Sequence, residues 1–347
     1  MRIAGRCVIT TRRMLYLHDI FGQDTAINQL RLAWKADRLP HGLIFSGPSG
    51  VGKGSAARAV AAWFLCENPG ADDACGACRS CHLIGSDTHP DYHLIYRQLV
   101  RQIKKDSKAR DLSIDVIEAH LLEPASRKSG TGRGKVFVIE EAETMTRDAA
   151  NSMLKTLEEP QGRVLIILLT DQLHSLLPTI RSRCQMIPFT ALPLELVMKK
   201  LIAGGADADA AKLATIISEG SLGLAMRWTQ DGIVERTRQM QQRLDAILTG
   251  RPVDDLPSFI AESAGLYVER QEQRDPAISK DQVKREAIVL YLQLAADHIR
   301  RRLPQIATAG LQLRACRIID DIAQSQIYVQ GNVNVDLVME HIGIRIR

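Results

Sequence analysis

A chain of 347 residues, 45% hydrophobic and 24% charged, has room for one to three domains with substantial cores. A net charge of +5 is too mild to argue for nucleic acid on its own, and 4% aromatic content offers no obvious platform for stacked bases. No apolar run reaches the ~18 residues of a membrane span, and the basic start MRIAGRCVITTRRM lacks the apolar centre of an export signal.

Residues 1–14 read as a disordered lead-in, or as an upstream start with Met14 the true beginning. Residues 41–66, HGLIFSGPSGVGKGSAARAVAAWFLC, then read as strand, glycine-rich loop and helix. The loop fits G-x-x-x-x-G-K, the pattern whose backbone N–H groups and helix N-terminus cradle phosphates. Gly47, Ser49, Gly50, Gly52, Lys53, Gly54 and Ser55 are the candidates for holding ATP or ADP. Lys53 would reach the terminal phosphates. The hydroxyl that should follow the lysine and hold Mg2+ is missing: Gly54 stands there, and Ser55 comes one residue late, about 100° further round the helix. Small nucleotide kinases resemble this G-K-G pattern, so a nucleoside monophosphate kinase is a rival reading.

Cys66, Cys75, Cys78 and Cys81 follow in C-x8-C-x2-C-x2-C spacing. With no export signal, metal outranks disulfides. Four thiolates suit a closed tetrahedral zinc that fixes the fold and does no chemistry. An iron–sulfur cluster is the second reading and a reduced cysteine patch the third. Cys7, Cys184 and Cys316 read as bystanders.

DYHLIYRQ is a second strand, and the basic stretch 97–110 reads either as a solvated loop or as a phosphate contact. SIDVIEAHLLEPA is a helix that Ser113 can cap, with Ile114, Ile117 and Leu121 on one face. KVFVIEEAE is a buried strand that ends in Glu140 and Glu141. Acids there can hold magnesium through water and polarise an attacking water, although Glu140 is one methylene longer than the usual Asp. The plainer reading is that they face solvent. TRDAANSMLKTLEEP is a helix stopped by Pro160, RVLIILLTDQ is a central parallel strand, and SLLPTIRSRCQMIPF leads into a last short strand. The alternation makes residues 15–189 an open α/β sheet. Three short glycine-closed helices over 190–242 form a lid, and 243–347 is all-helical.

The strings EEAETMTRDAANSMLKTLEEP and LLTDQLHSLLPTIRSRCQ resemble the clamp-loader branch of the AAA+ ATPases, and the cysteine insert is similar to that of polymerase III loader subunits. THPDYHLI and SIDVIEAH fit the same pattern. The resemblance covers residues 18–230 and implies several roles. Arg183, within Ser182-Arg183-Cys184, matches an arginine finger that acts in trans; the plainer role is a tie between the last strand and the lid. Thr170 falls where the family carries its first phosphate sensor. Gly223, in GSLGLAM, stands where the family carries a second sensor arginine, and Arg227 lies four residues later. The implied protein is a cytoplasmic stator in the loader of a sliding clamp, lending Arg183 to a neighbouring motor while hydrolysing ATP weakly or not at all. Its partners would be the delta and gamma/tau subunits, with the clamp and primer–template DNA met through the complex and no membrane. The alternative is a gamma/tau-like motor ATPase. The helical C-terminal region would be the collar.

Overall fold

The computed structural model describes residues 14–104, 107, 109–331 and 333–346. The expected lead-in up to Arg13, with Cys7, lies outside the described residues, as do Lys105 and Lys108 of the basic stretch. The described chain forms two compact units, one of residues 14–200 with Glu219–Leu224, the other of Leu201–Ser218 with 225–346.

The first unit is built on a parallel sheet of five strands: β1 (Gly42–Ser46), β2 (Tyr92–Ile95), β3 (Lys135–Ile139), β4 (Val164–Thr170) and β5 (Gln185–Pro188). Their order is β2-β3-β4-β1-β5. Successive side chains on a strand point to opposite faces, so a strand covered on both sides reads as an unbroken apolar run. Leu43, Phe45, Val136, Val138, Leu165 and Ile167 accordingly share a core with the helix Lys53–Leu65. Ile44, Phe137, Ile139, Ile166 and Leu168 share the opposite core with Val116, Ile117, Leu121 and Met153.

Two helices differ from the sequence expectation. The helix from Thr146 breaks at Met153 into Arg147–Ser152 and Leu154–Glu158, with the Met153 side chain buried in the second core. Ser113 takes the N-cap position of its helix, but its side chain makes no cap bond there; its backbone carbonyl accepts from Val116 and Ile117 instead. That helix carries a π turn at Glu118–Leu122 just before Pro124. Proline has no N–H to donate and crowds the carbonyl four residues back, and the wider turn relieves both problems.

Ser46 is in register with both Thr170 and Pro188. The segments leaving β1, β4 and β5 therefore emerge together at the carboxyl edge of the sheet, where ligands of open α/β sheets bind.

The second unit is helical, with long helices at Ile233–Leu248, Leu256–Arg274, Lys280–Arg302, Ala309–Gln330 and Val335–Ile346. Its buried Asp231 is held by Arg274 and by Gln271 at 3.3 Å, so the carboxylate is paired where it leaves water. Among the described residues, no helix is long and apolar enough to cross a membrane.

Candidate functional site

The phosphate-loop sequence folds as the strand–loop–helix expected of it. Gly47 has φ 147° and donates its N–H to the Thr170 carbonyl at 3.2 Å. A Cβ there would stand 2.0 Å from the Phe189 carbonyl oxygen, so packing between the ends of β4 and β5 demands glycine. Gly52 caps the helix at φ 108°, and Ser55 is half-buried in its first turn. Gly54 has room for a side chain: a Cβ would meet only Leu169 Cδ1 at 3.8 Å. Packing does not impose the missing hydroxyl.

The tip of the loop is fastened to Glu219–Leu224. Ser221 Oγ donates to the Ser49 carbonyl at 2.6 Å, and the Gly223 N–H donates to the Gly50 carbonyl at 2.9 Å. A Cβ on Gly223 would lie 2.9 Å from both Cα and the carbonyl oxygen of Gly50. No side chain, and certainly no arginine, fits at position 223 in this arrangement.

Lys53 is buried, 7% exposed, and its Nζ donates to the Gly47 carbonyl at 2.6 Å, the Pro48 carbonyl at 2.7 Å and Asp171 Oδ1 at 2.6 Å. An ammonium has three donors, and all three are spent inside the protein.

Glu140 follows β3, half-buried, with its N–H on the Ile95 carbonyl at 2.9 Å. Glu141 is in the left-handed region at φ 51°, and Arg97 grips both its oxygens: Nε to Oε2 at 2.6 Å, Nη2 to Oε1 at 3.0 Å. Such a bidentate pair is geometrically specific and commits the carboxylate. Thr170 is buried, and its Oγ1 accepts the Gln172 N–H at 3.0 Å. In the basic stretch, Arg97 is thus paired with Glu141 and Lys104 with Asp115 at 2.6 Å.

Arg183 lies between the short helix Pro178–Arg181 and β5, with its side chain 35% exposed. Nε donates to Glu158 Oε1 at 2.5 Å, Nη2 pairs with the same carboxylate, and Nη1 donates to the Thr179 carbonyl at 3.0 Å. These partners belong to its own unit, at the end of the Leu154–Glu158 helix and in the helix Pro178–Arg181. Ser182 Oγ donates to the Thr179 carbonyl at 3.1 Å. Burial pushes the Cys184 thiol up to about 12. Its sulfur lies 2.9 Å from where a Gly42 Cβ would stand, which fixes the chain beside Arg183 against the start of β1.

Cys66, Cys75, Cys78 and Cys81 converge, with their four sulfurs within 4.8 Å of one another. Cys81–Cys66, Cys66–Cys78 and Cys75–Cys81 are 3.7, 3.9 and 4.0 Å apart. Zinc–sulfur bonds of about 2.3 Å at tetrahedral angles place sulfurs about 3.8 Å apart, so the group is compatible with a single zinc ion. An iron–sulfur cube bonds each thiolate to a different iron and spreads the sulfurs wider. Backbone N–H groups of Ala77 and Cys78 pull the Cys75 thiol down to about 6 against its burial, while burial pushes Cys66 and Cys81 up. The module also clasps the segment before β1: Asp73 bonds His18 at 3.0 Å and Asp72 bonds Lys35 at 2.8 Å. Tyr16 crowds Gly76, where a Cβ would lie 1.9 Å from the phenol oxygen.

Sequence reasoning passed over Asp171 and Glu158, and it read Arg97 only as part of the basic stretch, not as the partner of Glu141. Asp171 directly follows Thr170 at the edge where the phosphate loop emerges, a signal within reach. The charge partners of Glu158 and Arg97 lie 25 and 44 residues away and carry no local signature. Asp91, two residues from both His89 and His93, joins no metal-ligating group among the described residues. It accepts from Ser129 Oγ, the Gly130 and Thr131 N–H groups and Thr131 Oγ1 at 2.7–2.9 Å, and so ties down the glycine-rich turn.

Residues 22–193 match the family model described as DNA polymerase III, delta subunit. The chain is 35% identical over 212 residues to DNA polymerase III subunit delta' of Pseudomonas aeruginosa, covering 60% of this chain and 61% of that protein. It is 29% identical over 304 residues to DNA polymerase III subunit delta' of Haemophilus influenzae, covering 86% and 88%. DNA polymerase III subunit tau of Escherichia coli K12 is 30% identical over 253 residues, 71% of this chain but 37% of that longer protein. The match to the Pseudomonas relative thus spans about three-fifths of its length. With the parallel sheet, the phosphate loop and the four-cysteine module in place, the chain is similar to the delta' subunits of DNA polymerase III.

Proposed function

We propose that this chain is the stator of a clamp loader in the cytoplasm, lending Arg183 to the ATP site of a neighbouring gamma/tau-type motor while its own site turns over little or no ATP. One contrast carries the reading. The machinery for hydrolysis in cis is missing or committed elsewhere: Gly54 offers no hydroxyl, Glu141 is held by Arg97, Lys53 is held by Asp171, and Gly223 is pressed against Gly50. Arg183, although Glu158 and the Thr179 carbonyl hold it from its own unit, keeps 35% of its side chain exposed. A guanidinium placed at a γ-phosphate neutralises charge that builds as the phosphoryl group leaves, an effect of about 10³-fold or more in rate.

In this reading the cysteine module holds a structural zinc, residues 190–242 act as the lid, and 243–347 form the collar that joins the delta and gamma/tau subunits. The clamp and primer–template DNA are met through the assembled ring. Reconstitution with motor subunits, clamp and primed DNA tests it: Arg183→Ala should depress DNA-stimulated ATP turnover and clamp loading while the ring still assembles. Full loading by that variant overturns the reading.

A motor-like role is favoured by one observation, the likeness to tau across 253 residues. Steady ATP hydrolysis by the isolated chain would establish it.

A further inference from the structure

Glu158 has no part in the proposed function, yet it is the residue that grips Arg183. The guanidinium has five N–H donors in a rigid plane. Nε and Nη2, one edge of that plane, go to the Glu158 carboxylate. Nη1 spends a hydrogen on the Thr179 carbonyl at 3.0 Å, and Ser182 Oγ stands at 3.4 Å, the long limit of a hydrogen bond. The far edge, between the two terminal nitrogens, faces away from Glu158 and is the edge a phosphate oxygen would meet.

The holder is itself held. His41 Nε2 bonds the carbonyl of Leu157, next to Glu158 in the chain. Leu157 is buried and lies 3.2 Å from where a Gly42 Cβ would stand, on the spot that also receives the Cys184 sulfur. Glu158 and Arg183 thus each follow or precede a residue anchored at the start of β1. The carboxylate and the guanidinium meet at the surface because both neighbours are locked beneath it.

We propose that Glu158 is a positioning residue for Arg183, holding the guanidinium by its side edge so that its end edge is presented to the neighbouring subunit. This rests on Arg183 acting in trans. A long flexible side chain otherwise spreads over many rotamers, and ordering it at the moment of reaction raises the barrier. Holding it beforehand places the charge where the transition state needs it. The carboxylate takes one hydrogen of Nη2 and leaves its second for the end edge.

The test is ATP turnover by the ring reconstituted with motor subunits, clamp and primed DNA, with Glu158→Ala, Glu158→Gln and Glu158→Asp compared with Arg183→Ala and the double variant Glu158→Ala/Arg183→Ala. Glu158→Ala should lower kcat by about tenfold, the scale of a misplaced catalytic group, with KM for ATP unchanged. Glu158→Gln, which keeps an acceptor oxygen, should lose less, and Glu158→Asp should recover part of the loss. The double variant should be no slower than Arg183→Ala, because a residue acting only through Arg183 has nothing left to act on. The melting temperature of each isolated variant separates this from misfolding.

Wild-type kcat in all three Glu158 variants overturns the proposal. So does a faster ring, which would make Glu158 a mask, or a further loss in the double variant. Full turnover by Arg183→Ala overturns the trans role itself, whereas loss in Arg183→Ala with none in Glu158→Ala removes only the positioning role.

Discussion

Replacing Gly223 by alanine tests whether the Glu219–Leu224 segment closes the phosphate loop. The new Cβ would sit 2.9 Å from Gly50 Cα and from its carbonyl oxygen, both backbone atoms that cannot swing aside. The chain can absorb the clash as strain, at about 1–3 kcal/mol for overpacking. It can instead release the segment and lose the Gly223–Gly50 and Ser221–Ser49 hydrogen bonds, at about 1 kcal/mol each. Both routes come to about 2 kcal/mol, or about 30-fold in the local opening equilibrium. Alanine also favours the helix Leu222–Gln230 by about 1 kcal/mol, but it does so whether the segment is docked or released. The global melting temperature is therefore a poor readout, and local amide exchange is a good one. Exchange at residues 223 and 224 should quicken by about 30-fold while amides of β1 and β4 keep their protection. Wild-type exchange at both positions would refute the closed contact.

Two more perturbations address the framework. Burial raises the Asp91 pKa, but its hydrogen bonds from Gly130, Thr131 and Ser129 outweigh this and hold it below the usual carboxylate range. Its contribution is therefore present above the unfolded carboxylate value of about 4 and is lost as pH falls through the lower folded value. Asp91→Asn, which turns a donor amide toward those donors, should cost about 2 kcal/mol in denaturant unfolding at neutral pH, with the gap narrowing below about pH 4; a gap that ignores pH contradicts this. For the cysteine module, metal analysis should find about one zinc per chain, lost in Cys81→Ser, with protease cleavage appearing within 66–81. Full metal content in that variant, or an iron chromophore in the wild type, would contradict a four-thiolate zinc.

The sheet was legible because a strand buried on both faces must be apolar without interruption, and VFVI and VLIILL are just that. The cysteines were legible for a related reason, since x2 spacings bring sulfurs together locally. The breaks at Met153 and at the π turn were not: core packing and Pro124 decide them, and both strings read as plain helices. The same limit applied at the candidate site. The loop and Gly54 could be read from pattern, and Gly223 from the family resemblance. The commitment of Lys53 to Asp171, across 118 residues, depends on the register of β1 with β4. Gly223 looked like a lost arginine; in the fold it is also a position where backbone meets backbone.

The most direct measurement is the burst of ATP hydrolysed per ring on first contact with primed DNA, comparing wild-type chain with Arg183→Ala. The burst should shrink by one site's worth, the motor beside this subunit, while the other sites fire at their normal rate. An undiminished burst would mean that Arg183 serves no neighbouring pocket.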